Sequence, residues 1–116
     1  MKKVEDLDLF RLSHSLVLSI FELTKTFPEE EKFGFISQMR RVAYSIPMNL
    51  MEGAHRLSSK EYRQFVGIAK GSAGEIKHHL LLVRDLKYIS ESKYSNFLPE
   101  YERVSQMLTK LAKSLE

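Results

Sequence analysis

The sequence predicts an all-α domain, an antiparallel up-down-up-down four-helix bundle, and three observations carry that prediction. Apolar residues recur at intervals of three and four in four separate segments. No stretch of useful length alternates with a period of two, so strands are not expected. The connections between segments are only a few residues long, which makes successive helices antiparallel neighbours. The 116 residues suit a single domain over 1–116, with helices at about 9–26, 29–55, 59–87 and 91–115.

The first segment carries Leu12, Leu16, Ile20, Leu23 and Phe27 at helical spacing, flanked by Phe10, Val17 and Phe21, with Asp8 as its expected N-cap. Pro28 and the acidic run Glu29, Glu30, Glu31 suit the start of a second helix, and Gly34 leaves that start open between Glu29 and Phe33. Its core stripe is Ile36, Met39, Ala43, Ile46 and Leu50. Pro47 lacks the amide that would bond the Ala43 carbonyl, so a bend is expected there. Ser58 and Glu61 have the spacing of a capping box at the start of the third helix. The stripe of that helix is Tyr62, Phe65, Ala69, Ser72, Ala73, Ile76, Leu80 and Val83. Ser90 is the expected N-cap of the fourth helix, whose stripe runs Tyr94, Phe97, Leu98, Tyr101, Val104, Leu108, Leu111 and Leu115. Pro99 should kink that helix or delay its regular part.

Composition narrows the function classes. With 43% hydrophobic and 28% charged residues the chain reads as a globular domain rather than a disordered one. It has no cysteine, which excludes disulfides, thiolate metal sites and cysteine nucleophiles and fits the cytoplasm. Acids follow the N-terminal lysines at once, so neither a signal peptide nor a membrane span is expected. The net charge of +3 is unevenly spread. Residues 33–89 hold nine basic against four acidic side chains, whereas residues 1–32 hold five against seven and 90–116 four against four. A polyanion would be drawn to the middle of the chain; a solvated face with a modest basic excess is the plainer alternative.

Rotating each segment by about 100° per residue separates wet faces from the core. On helix two, Gln38, Arg41, Ser45, Met48, Asn49, Glu52 and Arg56 fall within an arc of about 100° opposite the core stripe. An amphipathic helix always has such a side, but this one is short of Lys and Glu and rich in side chains that make fixed hydrogen bonds, as at an interface or a phosphate. On helix three, Gly67, Gly71 and Gly74 share the face opposite the core, bordered by Lys60, Arg63, Gln64 and His78. Each glycine costs about 1 kcal/mol against alanine in an exposed helix, so close approach of another backbone is one account of the three. Leu81 and Leu82 carry apolar surface around the helix, which with the glycines points to a homo-oligomer.

The sequence offers little for catalysis. His14, His55, His78 and His79 contain no pair four apart, and Glu75 with His78 gives the Glu-x-x-His pattern once where a bundle metal site uses it twice. No phosphate loop, nucleophile elbow or dinucleotide fingerprint occurs, and neither Glu52 nor Glu75 has a partner carboxylate. No metal, no cofactor and no enzymatic activity are expected. Tyr44, beside Arg40 and Arg41, is the aromatic residue that could stack on a base.

The stretch SQMRRVAYSIPMNLMEG at residues 37–53 resembles the signature of 23S rRNA intervening sequence proteins, which reads SQ, a hydrophobe, RRAA, a variable residue, SIP, a variable residue and NIAEG. The likeness continues in the first helix with its FP..E.FG connection, and in SSKEYRQFVGIAKGSAGEIKHHLLLVRDLKYIS. Matching positions are Ser37, Gln38, Arg40, Arg41, Ser45, Ile46, Pro47, Asn49, Glu52, Gly53, Gly71, Ser72 and Glu75. Val42, Met48, Leu50, Met51, Ala54, His55, Gly67 and Gly74 depart from it. The resemblance implies an antiparallel bundle assembled as a homopentameric ring and a role in binding nucleic acid, RNA above all, with a fold similar to the accessory proteins of diversity-generating retroelements.

Two functions follow as expectations. In one, a non-enzymatic oligomer binds structured RNA through a basic surface on helices two and three, with Arg40, Arg41, Arg56, Lys60 and Arg63 on phosphates. Arg40, beside Tyr44, is then the arginine better placed for RNA. Gln38, Arg41, Ser45, Asn49, Glu52 and Gly71 would make the subunit contact or a structural polar stripe. In the other, the ring is a scaffold whose basic face meets an acidic protein, without RNA affinity.

Overall fold

The computed structural model describes residues 3–116. Its four α-helices are α1 (Asp8–Thr24), α2 (Ser37–Ala54), α3 (Ser59–Asp85) and α4 (Glu91–Ser114), preceded by a short 3-10 turn at Val4–Asp6. Each helix packs on the next in sequence, and α1 also packs on α4, which closes the bundle around one core. The directions alternate pair by pair. Arg40 near the start of α2 meets Thr24 at the end of α1, Gly53 at the end of α2 meets Tyr62 near the start of α3, and Arg63 meets Ala112 and Glu116 at the far end of α4. The result is a rod of 43 × 25 × 20 Å.

The core stripes hold with local shifts. Met39, Ala43, Ile46 and Leu50 of α2, Ala69, Ala73, Ile76, Leu80 and Val83 of α3, and Tyr101, Val104 and Leu108 of α4 are buried. Val42 and Val66 join them, because α2 and α3 each lie between two neighbours and bury a wider arc than one stripe. On α1 the buried arc turns from Leu12, which is half-buried, toward Leu9, Ser13 and Thr24. The two hydroxyls tolerate burial because each is bonded to its own helix, Ser13 Oγ donating to the Phe10 carbonyl at 3.1 Å and Thr24 Oγ1 to that of Ile20 at 2.9 Å.

Helix ends differ from expectation in instructive ways. Asp8 does not cap α1; it is the first helical residue, the cap position falls on Leu7, and Asp8 contributes a negative charge to the first turn. The second helix does not begin at Glu29. A 3-10 turn at Glu29–Glu31 and a π-turn at Lys32–Ile36 come first, and Gly34, at φ −103° and ψ −109°, breaks the helical path there. Ser58 Oγ accepts from the Glu61 amide at 3.1 Å, but Glu61 turns its own carboxylate to Arg56 and leaves the capping box half made. Ser90 caps α4 as expected. That helix begins at Glu91 and runs on through Pro99, as α2 runs on through Pro47.

The α3–α4 turn is closed by a Schellman arrangement. The Tyr88 amide donates to the Val83 carbonyl at 2.8 Å and the Lys87 amide to that of Arg84 at 2.9 Å, with Lys87 in the left-handed region at φ 64°. Lysine stands where glycine is usual, which stores on the order of 1 kcal/mol of strain.

Candidate nucleic-acid interface

The five basic residues expected on phosphates do not form one patch. Arg40 and Arg41 sit near the start of α2, and Arg56 lies beyond its end, about 22 Å along the axis. Arg40 turns inward between helices. Its Nε donates to Thr24 Oγ1 at 2.8 Å, its Nη2 to the Phe21 carbonyl at 3.2 Å, and its guanidinium lies 4.7 Å from the Phe21 ring centre. The side chain ties α1 to α2 and is half-buried. Arg56 lies 3.2 Å from Glu61 and 4.0 Å from Glu52, with its guanidinium 5.2 Å from the Phe65 ring centre. Arg63 donates to the Ala112 carbonyl at 3.2 Å and to Glu116 at 3.3 Å. Arg41 and Lys60 are exposed and have no carboxylate partner among the described residues.

The polar stripe of α2 divides in the same manner. Gln38 and Glu52 are exposed, whereas Ser45 and Asn49 are half-buried and bonded within the chain. Ser45 Oγ donates to the Val42 carbonyl at 2.9 Å and meets Ser72 Oγ of α3, and Asn49 Nδ2 donates to the Ser45 carbonyl at 2.7 Å. Rotation away from the core stripe placed Ser45 on an outer face; α3 packs there. Gly71 lies on open surface with Gly67 and Gly74, since a Cβ added at any of the three meets nothing within 4 Å. Gly53 is the opposite case, where a Cβ would lie 2.8 Å from Phe65 Cβ and 3.3 Å from the Tyr62 carbonyl.

A second basic row escapes a helix-by-helix reading. Arg63, Lys70, Lys77 and Arg84 are spaced by seven along α3, and all four face α4 or its rim. On α4, Thr109 and Glu102 recur at the same interval in the opposite direction, and Glu116, two residues beyond the helix, continues it. Arg63 meets Glu116, Lys70 donates to Thr109 Oγ1, and Lys77 and Glu102 line one groove. Arg84 lies 3.1 Å from Asp85, 3.8 Å from Glu91 and 4.5 Å from the Tyr94 ring centre. A seven-residue repeat on both members of an antiparallel pair is the geometry of coiled-coil flanks, and it keeps the same residues at the seam along its length. The spacing was present in the sequence as a signal.

Two buried polar side-chain atoms among the described residues lack a hydrogen-bond partner, one on His79 and one on Tyr101. Burial lowers the pKa of His79; Glu75 opposes that shift, while His78 and Arg41 add to it. Its Nδ1 makes no hydrogen bond, and its ring meets Phe35 edge-on at 6.2 Å. The Tyr101 hydroxyl is also unbonded, and complete burial raises its pKa so that it stays neutral. Among the described residues no three of His, Cys, Asp and Glu gather as a metal site, and no helix is long and apolar enough to cross a membrane.

Comparison with known proteins agrees with this architecture. A crystal structure of a protein of unknown function from the S23 ribosomal protein family of Bacteroides thetaiotaomicron superposes with a TM-score of 0.84 over 90% of this chain and 95% of that one, at 24% identity. At that identity the likeness establishes the shared fold. No curated protein matches the chain. The pattern of the 23S rRNA-intervening sequence proteins matches residues 5–110, nearly the whole bundle including the 37–53 stretch, and by that match the chain belongs to the 23S rRNA-intervening sequence protein family.

Proposed function

We propose that this protein is a non-enzymatic, cytoplasmic, self-assembling binder of nucleic acid, structured RNA first of all, which holds its ligand by the phosphate backbone. The observation that supports this most is the state of the surface cations. After the internal pairings of Arg40, Arg56, Arg63 and Arg84, the exposed Arg41, Lys60 and Lys70 and the half-buried Lys77 have no carboxylate within 4.0 Å among the described residues. Unpaired cations attract a polyanion and release its counterions. Arg40 leaves the contact set because its guanidinium is occupied by Thr24 and Phe21. The family's relation to rRNA by name is consistent with this choice of ligand.

A scaffold reading draws on a different observation. Met48 is 56% exposed and Ile68 53%, and with the open glycines Gly67, Gly71 and Gly74 they leave parts of α2 and α3 apolar or bare. Such a surface suits a second copy of the chain, with the homopentamer the assembly in view. Light-scattering mass measured with and without an RNA hairpin across a salt series separates the two. A multiple of the 13.5 kDa chain that gains mass with RNA at low salt and loses it steeply as salt rises supports the first reading. The same multiple with no gain supports the scaffold, and a monomer at all salts removes the self-assembly from both.

A further inference from the structure

Both sides of α3 hold exposed cations without a carboxylate partner among the described residues. Toward α2 these are Arg41 and Lys60, which stand apart near the starts of two antiparallel helices, while Arg56 is paired with Glu52 and Glu61. Toward α4, the seven-residue row is neutralised only at its ends, where Arg63 meets Glu116 and Arg84 meets Asp85 and Glu91. Its middle, Lys70 and Lys77, borders a groove of about 340 Å³ whose other walls are Ser105, Gln106, Thr109 and Glu102. Lys70 spends one donor on a hydroxyl, which leaves its charge uncompensated.

We propose that this α3–α4 groove is the track for the RNA phosphate backbone, with Lys70 and Lys77 each taking a phosphate and Gln106 and the Ser105 hydroxyl donating beside them. The proposal rests on the nucleic-acid reading above and names the surface that performs it. Seven residues of helix separate the ammonium stems by about 10 Å, far enough for each to take a different phosphate of one strand. Ammonium, hydroxyl and amide groups are the donors that contact sugar and phosphate oxygens. No aromatic side chain lines the groove, so unpaired bases have no platform on which to stack. That composition selects duplex RNA, recognised by backbone and 2′-hydroxyl, over single strands. Glu102 is the one opposing charge, and it repels a phosphate at the Lys77 end.

The test is anisotropy of a labelled RNA hairpin and of a labelled oligouridine, each titrated with the intact protein across a salt series. Lys70→Gln with Lys77→Gln should weaken hairpin binding at least about tenfold at low salt and flatten the log–log salt slope by roughly 2, one unit for each phosphate contact. Glu102→Gln should tighten it several-fold, a gain that no loss of folding can imitate. Oligouridine should bind more weakly than the hairpin at every salt concentration. If the Lys70 and Lys77 pair leaves the slope unchanged while Arg41→Gln with Lys60→Gln flattens it, the groove assignment is overturned and the nucleic-acid reading stands. If Glu102→Gln leaves the dissociation constant within twofold, or oligouridine binds as well as the hairpin, the groove is likewise overturned. If the unmodified protein binds neither RNA in a salt-dependent manner, both the groove and the reading beneath it fall.

Discussion

The α2–α3 seam and the α3–α4 seam are built on one helix from opposite kinds of residue. Between α2 and α3 the contacts are small and close, with Gly53 against Phe65 and Tyr62 and a serine pair at Ser45 and Ser72. Between α3 and α4 they are long and charged, with Arg63, Lys70, Lys77 and Arg84 reaching across. Close packing leaves no room for solvent or ligand, whereas long side chains at a seam hold their heads in water and can exchange one partner for another. The difference assigns close packing to one side of α3 and leaves charged side chains at the surface on the other.

Breaking the close seam should have the largest effect. Gly53→Ala puts a methyl group 2.8 Å from Phe65 Cβ and should lower unfolding free energy by about 2 kcal/mol, as overpacking does elsewhere, measured by urea denaturation. A loss under about 0.5 kcal/mol would show that the two helices separate at little cost and that the seam is not the rigid one. Next is the turn that joins the charged seam. Lys87→Gly should raise stability by about 1 kcal/mol by relieving the left-handed residue. A decrease would mean that the lysine side chain contributes more than its backbone strain removes.

The charged seam itself should yield less. Arg63→Ala removes the contacts to Ala112 and Glu116 from a side chain that is about half exposed, and should cost less than about 1 kcal/mol, with the difference shrinking in high salt. A salt-independent loss above that would place Arg63 in the stable part of the structure. The smallest effect is a pH dependence confined to the α2-facing side. Because burial lowers the His79 pKa, the neutral ring favours folding above about pH 6.5, and that contribution is lost as pH falls through the lowered value. The urea midpoint should therefore fall between about pH 7 and pH 5, and fall less in His79→Gln. An identical pH profile in the variant would remove His79 as the cause.

These contrasts explain what the sequence could and could not convey. Met39, Ala43, Ile46 and Leu50, or Tyr101, Val104 and Leu108, are legible as core because helical period alone decides which side of a helix is dry. The start of α2 was not legible, since one glycine with non-helical angles outweighs a favourable acidic run. For the charged residues the period says only that they leave the core. Whether Arg40 meets Thr24 or solvent depends on the neighbouring helix. Ser45 looked like surface for the same reason, having been referred to the axis of its own helix rather than to the gap between two. The row of Arg63, Lys70, Lys77 and Arg84 could have been found by comparing α3 with α4 at a common interval of seven.

The left-handed residue at Lys87 gives the length of the α3–α4 connection a meaning of its own. With the Tyr88 amide fixed to Val83, the chain has no slack to take up before Glu91 starts the next helix. One inserted residue would shift α4 by about 1.5 Å or turn it by about 100°, and every tooth of the two facing rows would leave its gap together. Loop length here acts as an alignment key: substitutions along the seam can be absorbed one at a time, while a single insertion is felt by all of them.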